Sequence, residues 1–96
     1  MNNRRFEWDE NKRKQNRDKH GIDFGEATSV FDDDNAILLY DEINSADEER
    51  YILIGYSEKV KMLMVCHCYR SGDGEIIRII SARSATSRER KMYWRR

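Results

Sequence analysis

The chain has no proline, no internal repeat and no low-complexity run. Nothing marks a domain boundary, so its 96 residues read as a single domain, 1–96. Apolar residues never run to the roughly 18 that a membrane-spanning helix needs. No apolar stretch follows Met1-Asn2-Asn3-Arg4-Arg5, so no signal peptide is expected there. Cysteine is confined to Cys66 and Cys68, which stand too close on one extended segment to favour a mutual disulfide. Free thiols fit a reducing, cytoplasmic compartment.

One sign of charge is missing from a long stretch. Residues 21–49 contain ten acids and no Lys or Arg. The basic residues gather at the ends: residues 4–20 hold seven bases against four acids, and residues 70–96 hold eight against three. A net charge of zero therefore conceals an acidic middle between two basic ends. This either places nucleic acid at the basic ends or reflects two signs that neutralise each other across one surface. Nucleic acid at the basic ends would leave the acidic segment facing away from it.

Phe6-Glu7-Trp8 alternates like a short strand. A helix is expected over 9–20, with Asp9 as N-cap and Gly21 as stop. It contains no aliphatic or aromatic residue, and its support should come from Asp9–Arg13 and Glu10–Lys14 pairs. A second helix follows the Asp23-x-x-Glu26 box, with Phe24, Ala27, Thr28 and Phe31 on one face, and ends at Asp32-Asp33-Asp34-Asn35. Residues 36–43, 50–56, 60–69 and 75–82 then read as four strands rich in β-branched, aromatic and long apolar side chains. Their short connections predict antiparallel hairpins, with a turn at Ser71-Gly72-Asp73-Gly74. The box Thr86-x-x-Glu89 opens a last helix. The expected fold is α+β: two N-terminal helices, a four-stranded antiparallel sheet and a C-terminal helix.

Several residues could do chemistry. An even-numbered loop in the last hairpin would put His67 on one face with Arg78 and Tyr69, leaving Met62, Met64, Cys66, Cys68, Ile77 and Ile79 as core. Metal-free RNA cleavage needs a base, a cation at the phosphate and an acid at the leaving oxygen. A histidine suits either proton role, and an arginine suits the phosphate. His67 can equally be a half-buried structural histidine. His20, beside Lys19 at a helix end, is explained by the helix dipole as readily as by catalysis. Cys66-His67-Cys68 is not a metal site, because alternation sends His67 to the opposite face and no second ligand pair exists. No cofactor is expected. The C-terminal run of Arg83, Arg88, Glu89, Arg90, Lys91, Tyr93 and Trp94 fits phosphate contact with base stacking, or a solvated helix with an aromatic anchor.

With these residues placed, the sequence resembles the BrnT toxin family. The likeness runs from Phe6 to Tyr93 through Phe6-Glu7-Trp8-Asp9, Lys19-His20-Gly21-Ile22-Asp23-Phe24, Glu26-Ala27 and Val30-Phe31-Asp32-Asp33. It continues through Glu49-Arg50, Ile54-Gly55, Arg78-Ile79-Ile80-Ser81-Ala82-Arg83, Ala85-Thr86, Arg88-Glu89-Arg90 and Tyr93. The resemblance implies a RelE-like fold and a metal-independent ribonuclease toxin of a type II toxin–antitoxin pair that halts translation. It also implies a BrnA-type antitoxin as partner, in a heterotetramer built on the antitoxin dimer, with operator DNA reached only through that antitoxin and no membrane partner. Arg83 and Tyr93 match the cation and tyrosine of such toxins by order along the chain. Arg78 and Arg83 lie about 16 Å apart on an extended strand. Two centres therefore stay open: His67 with Arg78, or Arg83 with Glu89 and Tyr93. Lys19, His20, Arg88 and Arg90 would hold RNA. The alternative is a non-catalytic module that binds RNA or a partner.

Overall fold

The computed structural model describes residues 4–70 and 76–95. Its elements are β1 (Arg5–Glu7), α1 (Glu10–His20), α2 (Phe24–Thr28), a 3-10 turn (Ser29–Asp32), β2 (Ile37–Tyr40), β3 (Tyr51–Tyr56), β4 (Met62–Tyr69), β5 (Ile76–Ser84) and α3 (Ser87–Arg95). The expected turn at 71–74 lies outside the described residues.

The sheet has five strands in the order β1-β5-β4-β3-β2, not four, and it is mixed. β2, β3, β4 and β5 form the expected antiparallel meander, while β1 pairs parallel to β5, with Phe6 opposite Ile77. That pairing joins the two ends of the chain, so no local turn chemistry announces it.

Local signals fix the helix ends. Asp9 accepts from the backbone N–H groups of Asn11 and Lys12 at 2.8 and 3.1 Å. Gly21 adopts φ 72° and returns its N–H to the Arg17 carbonyl, a left-handed stop that glycine takes without steric cost. The expected Asp9–Arg13 and Glu10–Lys14 pairs give way to others. Asp9 is spent on the cap, and Arg13 bonds both Glu10, three residues back, and Asp23. The second helix is shorter than its pattern implied. Asp23 caps Gly25, but Glu26 accepts from the Ser57 hydroxyl on the β3–β4 turn, and the chain tightens into the 3-10 turn after Thr28.

Both sheet faces are apolar. On one, Leu53, Leu63, Val65, Ile77, Ile79 and Ala82 pack under Ile22, Phe24, Ala27 and Val30. Burying each large side chain contributes about 1.5–3 kcal/mol, and truncating the fully enclosed Phe24 to Ala would cost about 3–5 kcal/mol. On the other face, Ile54, Met62, Met64 and Cys66 pack with Tyr93 of α3. Gly55 permits one close approach: a Cβ there would stand 2.9 Å from Ala36 Cβ and 3.0 Å from Asp33 Oδ2.

Candidate active site

The expected union of His67 with Arg78 does not form. Cys66 faces Ser81 across the β4–β5 ladder, but His67 faces Ile79, so Ile80 is one extra residue on β5. The bulge shifts the register by one, and a one-residue shift reverses which faces meet. His67 joins Ile77 and Ile79 on the helix-covered face, and Arg78 pairs with Cys68 instead. Ile77 and Ile79, expected beside the Met and Cys residues, are core of the opposite face.

His67 is wholly enclosed. Its Nδ1 lies 3.2 Å from the Val65 carbonyl and its Nε2 3.3 Å from the Tyr69 hydroxyl, and its ring meets Phe31 edge-on at 4.8 Å. A carbonyl only accepts, so Nδ1 carries the proton and Nε2 receives the Tyr69 hydroxyl, which is the neutral imidazole. Burial pushes its pKa down to about 4, against a small upward pull from the Val65 carbonyl. The ring is a core group with no open surface for a substrate. Arg78 donates to Glu7 at 2.9 Å, and Arg70 approaches the same carboxylate at 3.5 Å. This network ties β1 to the sheet.

Arg83, Glu89 and Tyr93 do share a face. Arg83 donates two hydrogen bonds to Glu89, at 2.8 and 3.0 Å. Glu89 also closes the capping box, accepting from Thr86 N–H at 2.8 Å while its own N–H reaches Thr86 Oγ1 at 3.2 Å. Burial opposes the charge on Glu89 most strongly. The Arg83 and Thr86 hydrogen bonds together outweigh it and hold the carboxyl below its usual range. Tyr93 is buried, and its hydroxyl donates to Asp33. Arg88 and Arg90 are exposed on α3.

A second open cationic surface lies on α1. β1 covers β5 only as far as Arg78, and α1 lies along the strand beyond it. Between α1 and β5 runs a groove of about 200 Å³ lined by Lys12, Gln15, Asn16, Lys19, His20, Ile80 and Ser81. Positions 12, 15, 16, 19 and 20 form one helical face, which explains why α1 shows no apolar stripe. Its buried contact is polar. The Asn16 amide donates to the carbonyls of Ile22 and Ala82 at 2.9 and 2.8 Å, and its oxygen accepts the Ala82 N–H at 3.0 Å. Asn16 thus pairs with the β5 edge as a neighbouring strand would.

Lys19 and His20 therefore share the groove with Ser81, and Arg83 follows two residues along the same strand, about 7 Å further. Lys12, Gln15 and Ser81 were not singled out from sequence, although the 3.6-residue spacing of the polar positions carried the signal. The arrangement offers two ammonium groups and an imidazole that can give or take a proton. An arginine suited to phosphate stands beyond them.

Among the described residues, no three His, Cys, Asp or Glu side chains are grouped to hold a metal ion. Cys66 and Cys68 are buried thiols whose pKa values burial raises. No described helix is long and apolar enough to cross a membrane.

No curated protein matches the chain. Among solved structures, it is similar to the Brucella abortus ribonuclease toxin BrnT, at 28% identity and a TM-score of 0.67, over 88% of this chain and 99% of that one. The family described as the ribonuclease toxin, BrnT, of type II toxin–antitoxin systems matches residues 8–89. With most of its length matched, the chain belongs to the BrnT toxin family.

Proposed function

We propose that this protein is a metal-independent endoribonuclease that cleaves RNA in the α1–β5 groove and thereby inhibits translation. The observation that carries this reading is that Lys12, Lys19 and His20 line one open groove with Ser81. RNA binds with its scissile phosphate against Lys12 and Lys19. His20 exchanges protons with the 2′-hydroxyl or the leaving 5′-oxygen. Arg83, aligned by Glu89, takes a neighbouring phosphate, and Arg88 and Arg90 extend the basic track along α3. Tyr93 and Arg78 hold the scaffold. The compartment is the cytoplasm, where Cys66 and Cys68 stay reduced. The neutralising partner is a BrnA-type antitoxin, assembled as a heterotetramer on the antitoxin dimer, and operator DNA is reached only through it.

The test is cleavage of RNA by the purified chain in the presence of a chelator, beside Lys19→Ala and His20→Ala. Each substitution should lower the rate by roughly 10²–10³, the usual loss for one well-placed electrostatic or proton-transfer group, with circular dichroism unchanged. Full activity in both variants would remove the groove as the active site. Binding of RNA without cleavage by the wild-type chain would make the protein a non-catalytic RNA-binding module.

A further inference from the structure

Apolar side chains accumulate at the edge of the sheet opposite the groove. β2 is an edge strand, and Leu38 and Tyr40 on it are 51% and 48% exposed. Their partners across the ladder, Leu53 and Tyr51, fix them on the helix-covered face, but neither is enclosed. Tyr40 meets Tyr51 at 5.5 Å, and Tyr51 meets Tyr69 at 5.3 Å. The result is a continuous apolar strip across β2, β3 and β4. Such a strip beside a strand edge marks an interaction surface.

Its surroundings select the occupant. From Asp32 to Glu49 the chain carries eight acids and no Lys or Arg, and β2 lies inside that stretch. Asp34 precedes the strand, Asp41 and Glu42 follow it, and Asp34 and Glu42 are exposed. The nearby cations are already engaged: Arg4 bonds the Phe31 carbonyl and lies 3.9 Å from Asp32, Arg50 lies 3.8 Å from Glu48, and Arg70 lies 3.5 Å from Glu7. Tyrosines on a sheet could stack bases, but phosphates would enter an acidic field.

We infer that the β2 edge, with Leu38, Tyr40, Tyr51 and Tyr69, docks a basic, extended segment of a protein partner. The segment adds a strand to β2 through backbone hydrogen bonds. Its alternate apolar side chains rest on Leu38 and Tyr40, and its Lys and Arg residues face Asp34, Asp41 and Glu42. Within the proposed toxin–antitoxin reading, on which this identification rests, the partner is the antitoxin. Three strand spacings, roughly 14 Å, separate β2 from β5. The antitoxin's grip is therefore distinct from the RNA groove, although its remaining chain can still reach across to cover that groove.

The experiment measures the dissociation constant between the full chain and the antitoxin encoded beside it, for wild type, Leu38→Lys, Tyr40→Lys and the double variant Asp41→Lys/Glu42→Lys. RNA cleavage by each free chain is assayed in parallel. Leu38, Tyr40 and Glu42 are exposed, so the single variants should keep the fold; Asp41 is half-buried and accepts two hydrogen bonds from Asn44, so circular dichroism checks the double variant. Each variant should weaken the complex roughly tenfold or more while cleavage by the free chain stays at the wild-type rate. Raising salt should weaken the wild-type complex more than the charge-reversed one. The inference is overturned if all three variants bind as wild type while Lys12→Glu and Lys19→Glu abolish binding, which would place the partner on the groove. It is also overturned if Tyr40→Lys lowers RNA affinity and spares the complex, or if the free wild-type chain sediments as a dimer that Tyr40→Lys dissociates. A wild-type chain that binds the protein encoded beside it but cleaves no RNA defeats the nuclease reading and leaves the docking result to stand by itself.

Discussion

The Tyr93 hydroxyl donates to Asp33 Oδ2 at 2.8 Å, and that same oxygen accepts the Tyr56 backbone N–H at 2.9 Å. One carboxylate, 60 residues away in sequence from the tyrosine, thus fastens α3 and β3 to the link before β2. Hydrogen bonds to a charged group contribute about 1.5–3 kcal/mol each. Tyr93→Phe should therefore lower unfolding free energy by about that amount in urea, and Asp33→Asn should do so comparably. RNA cleavage at a temperature where both variants are folded should stay within a few-fold of wild type. A Tyr93→Phe protein of native stability that fails to cleave RNA would place the phenol against the substrate instead.

His67 makes stability depend on pH. Its folded pKa, about 4, lies below its ordinary 6.5, so the unfolded chain binds the extra proton throughout the interval between. Stability is full above about pH 6.5, declines as pH falls toward 4, and levels off below that. The loss is on the order of 3 kcal/mol, at 1.36 kcal/mol per pH unit. Glu89, whose carboxyl is held below its ordinary range, also releases stability in acid, but only as pH falls below the ordinary carboxyl value of 4.5 toward its folded one. The non-titrating His67→Gln should flatten the pH 4–6.5 portion of the denaturation profile and retain RNA cleavage. An unchanged slope in that variant would mean that some other group carries the dependence.

Signals confined to a few neighbouring residues were legible. The Asp9 cap, the Gly21 stop, the Thr86–Glu89 box and the four meander strands lie close to where residue chemistry puts them, because each depends on partners near in sequence. The bulge at Ile80 is a different matter: nothing in Ile79-Ile80-Ser81 distinguishes an extra residue from a regular strand, yet it decides which face His67 meets. β1 pairs with a strand 71 residues away at Glu7–Arg78, beyond any periodicity argument. The groove was half legible. Lys19 and His20 stood out, but the polar face shared with Lys12 and Gln15 had no meaning until Asn16 was seen to carry the packing.

Asn16 supports that groove, and its loss should show in both stability and activity. Asn16→Ala removes three hydrogen bonds to backbone groups of Ile22 and Ala82 and leaves those groups without that partner beside the core. The expected destabilisation is about 3 kcal/mol, since a stranded buried polar group costs about 1–3 kcal/mol. Amide hydrogen exchange at Ala82 should accelerate more than at the central β4 positions. Cleavage should fall through a weaker KM before kcat, because in the proposed site α1 carries Lys12, Lys19 and His20 to the RNA. Unchanged exchange at Ala82 would show that α1 is held by other contacts.

In the proposed site, the Arg83–Glu89 pair sets how much of the arginine is offered to RNA. Glu89 holds the guanidinium with two hydrogen bonds and remains ionised at neutral pH, because its carboxyl titrates below the usual range. Glu89→Gln retains an oxygen to accept the Thr86 N–H, so the helix start should survive. Its carbonyl oxygen attracts the guanidinium far less than a carboxylate does. The pair is only partly buried, so losing its charge should cost no more than about 1 kcal/mol of stability. Two effects on RNA then compete. A released Arg83 gains strength as a phosphate ligand, and the lost negative charge removes a repulsion; both tighten binding. A released Arg83 also loses its alignment, which lowers turnover. Glu89→Gln should accordingly bind RNA several-fold more tightly at low salt yet cleave it more slowly, whereas Arg83→Ala should bind more weakly with a shallower salt dependence. Filter binding and single-turnover cleavage over a salt series separate the two. Identical binding by wild type, Glu89→Gln and Arg83→Ala would mean that Arg83 serves only to anchor α3.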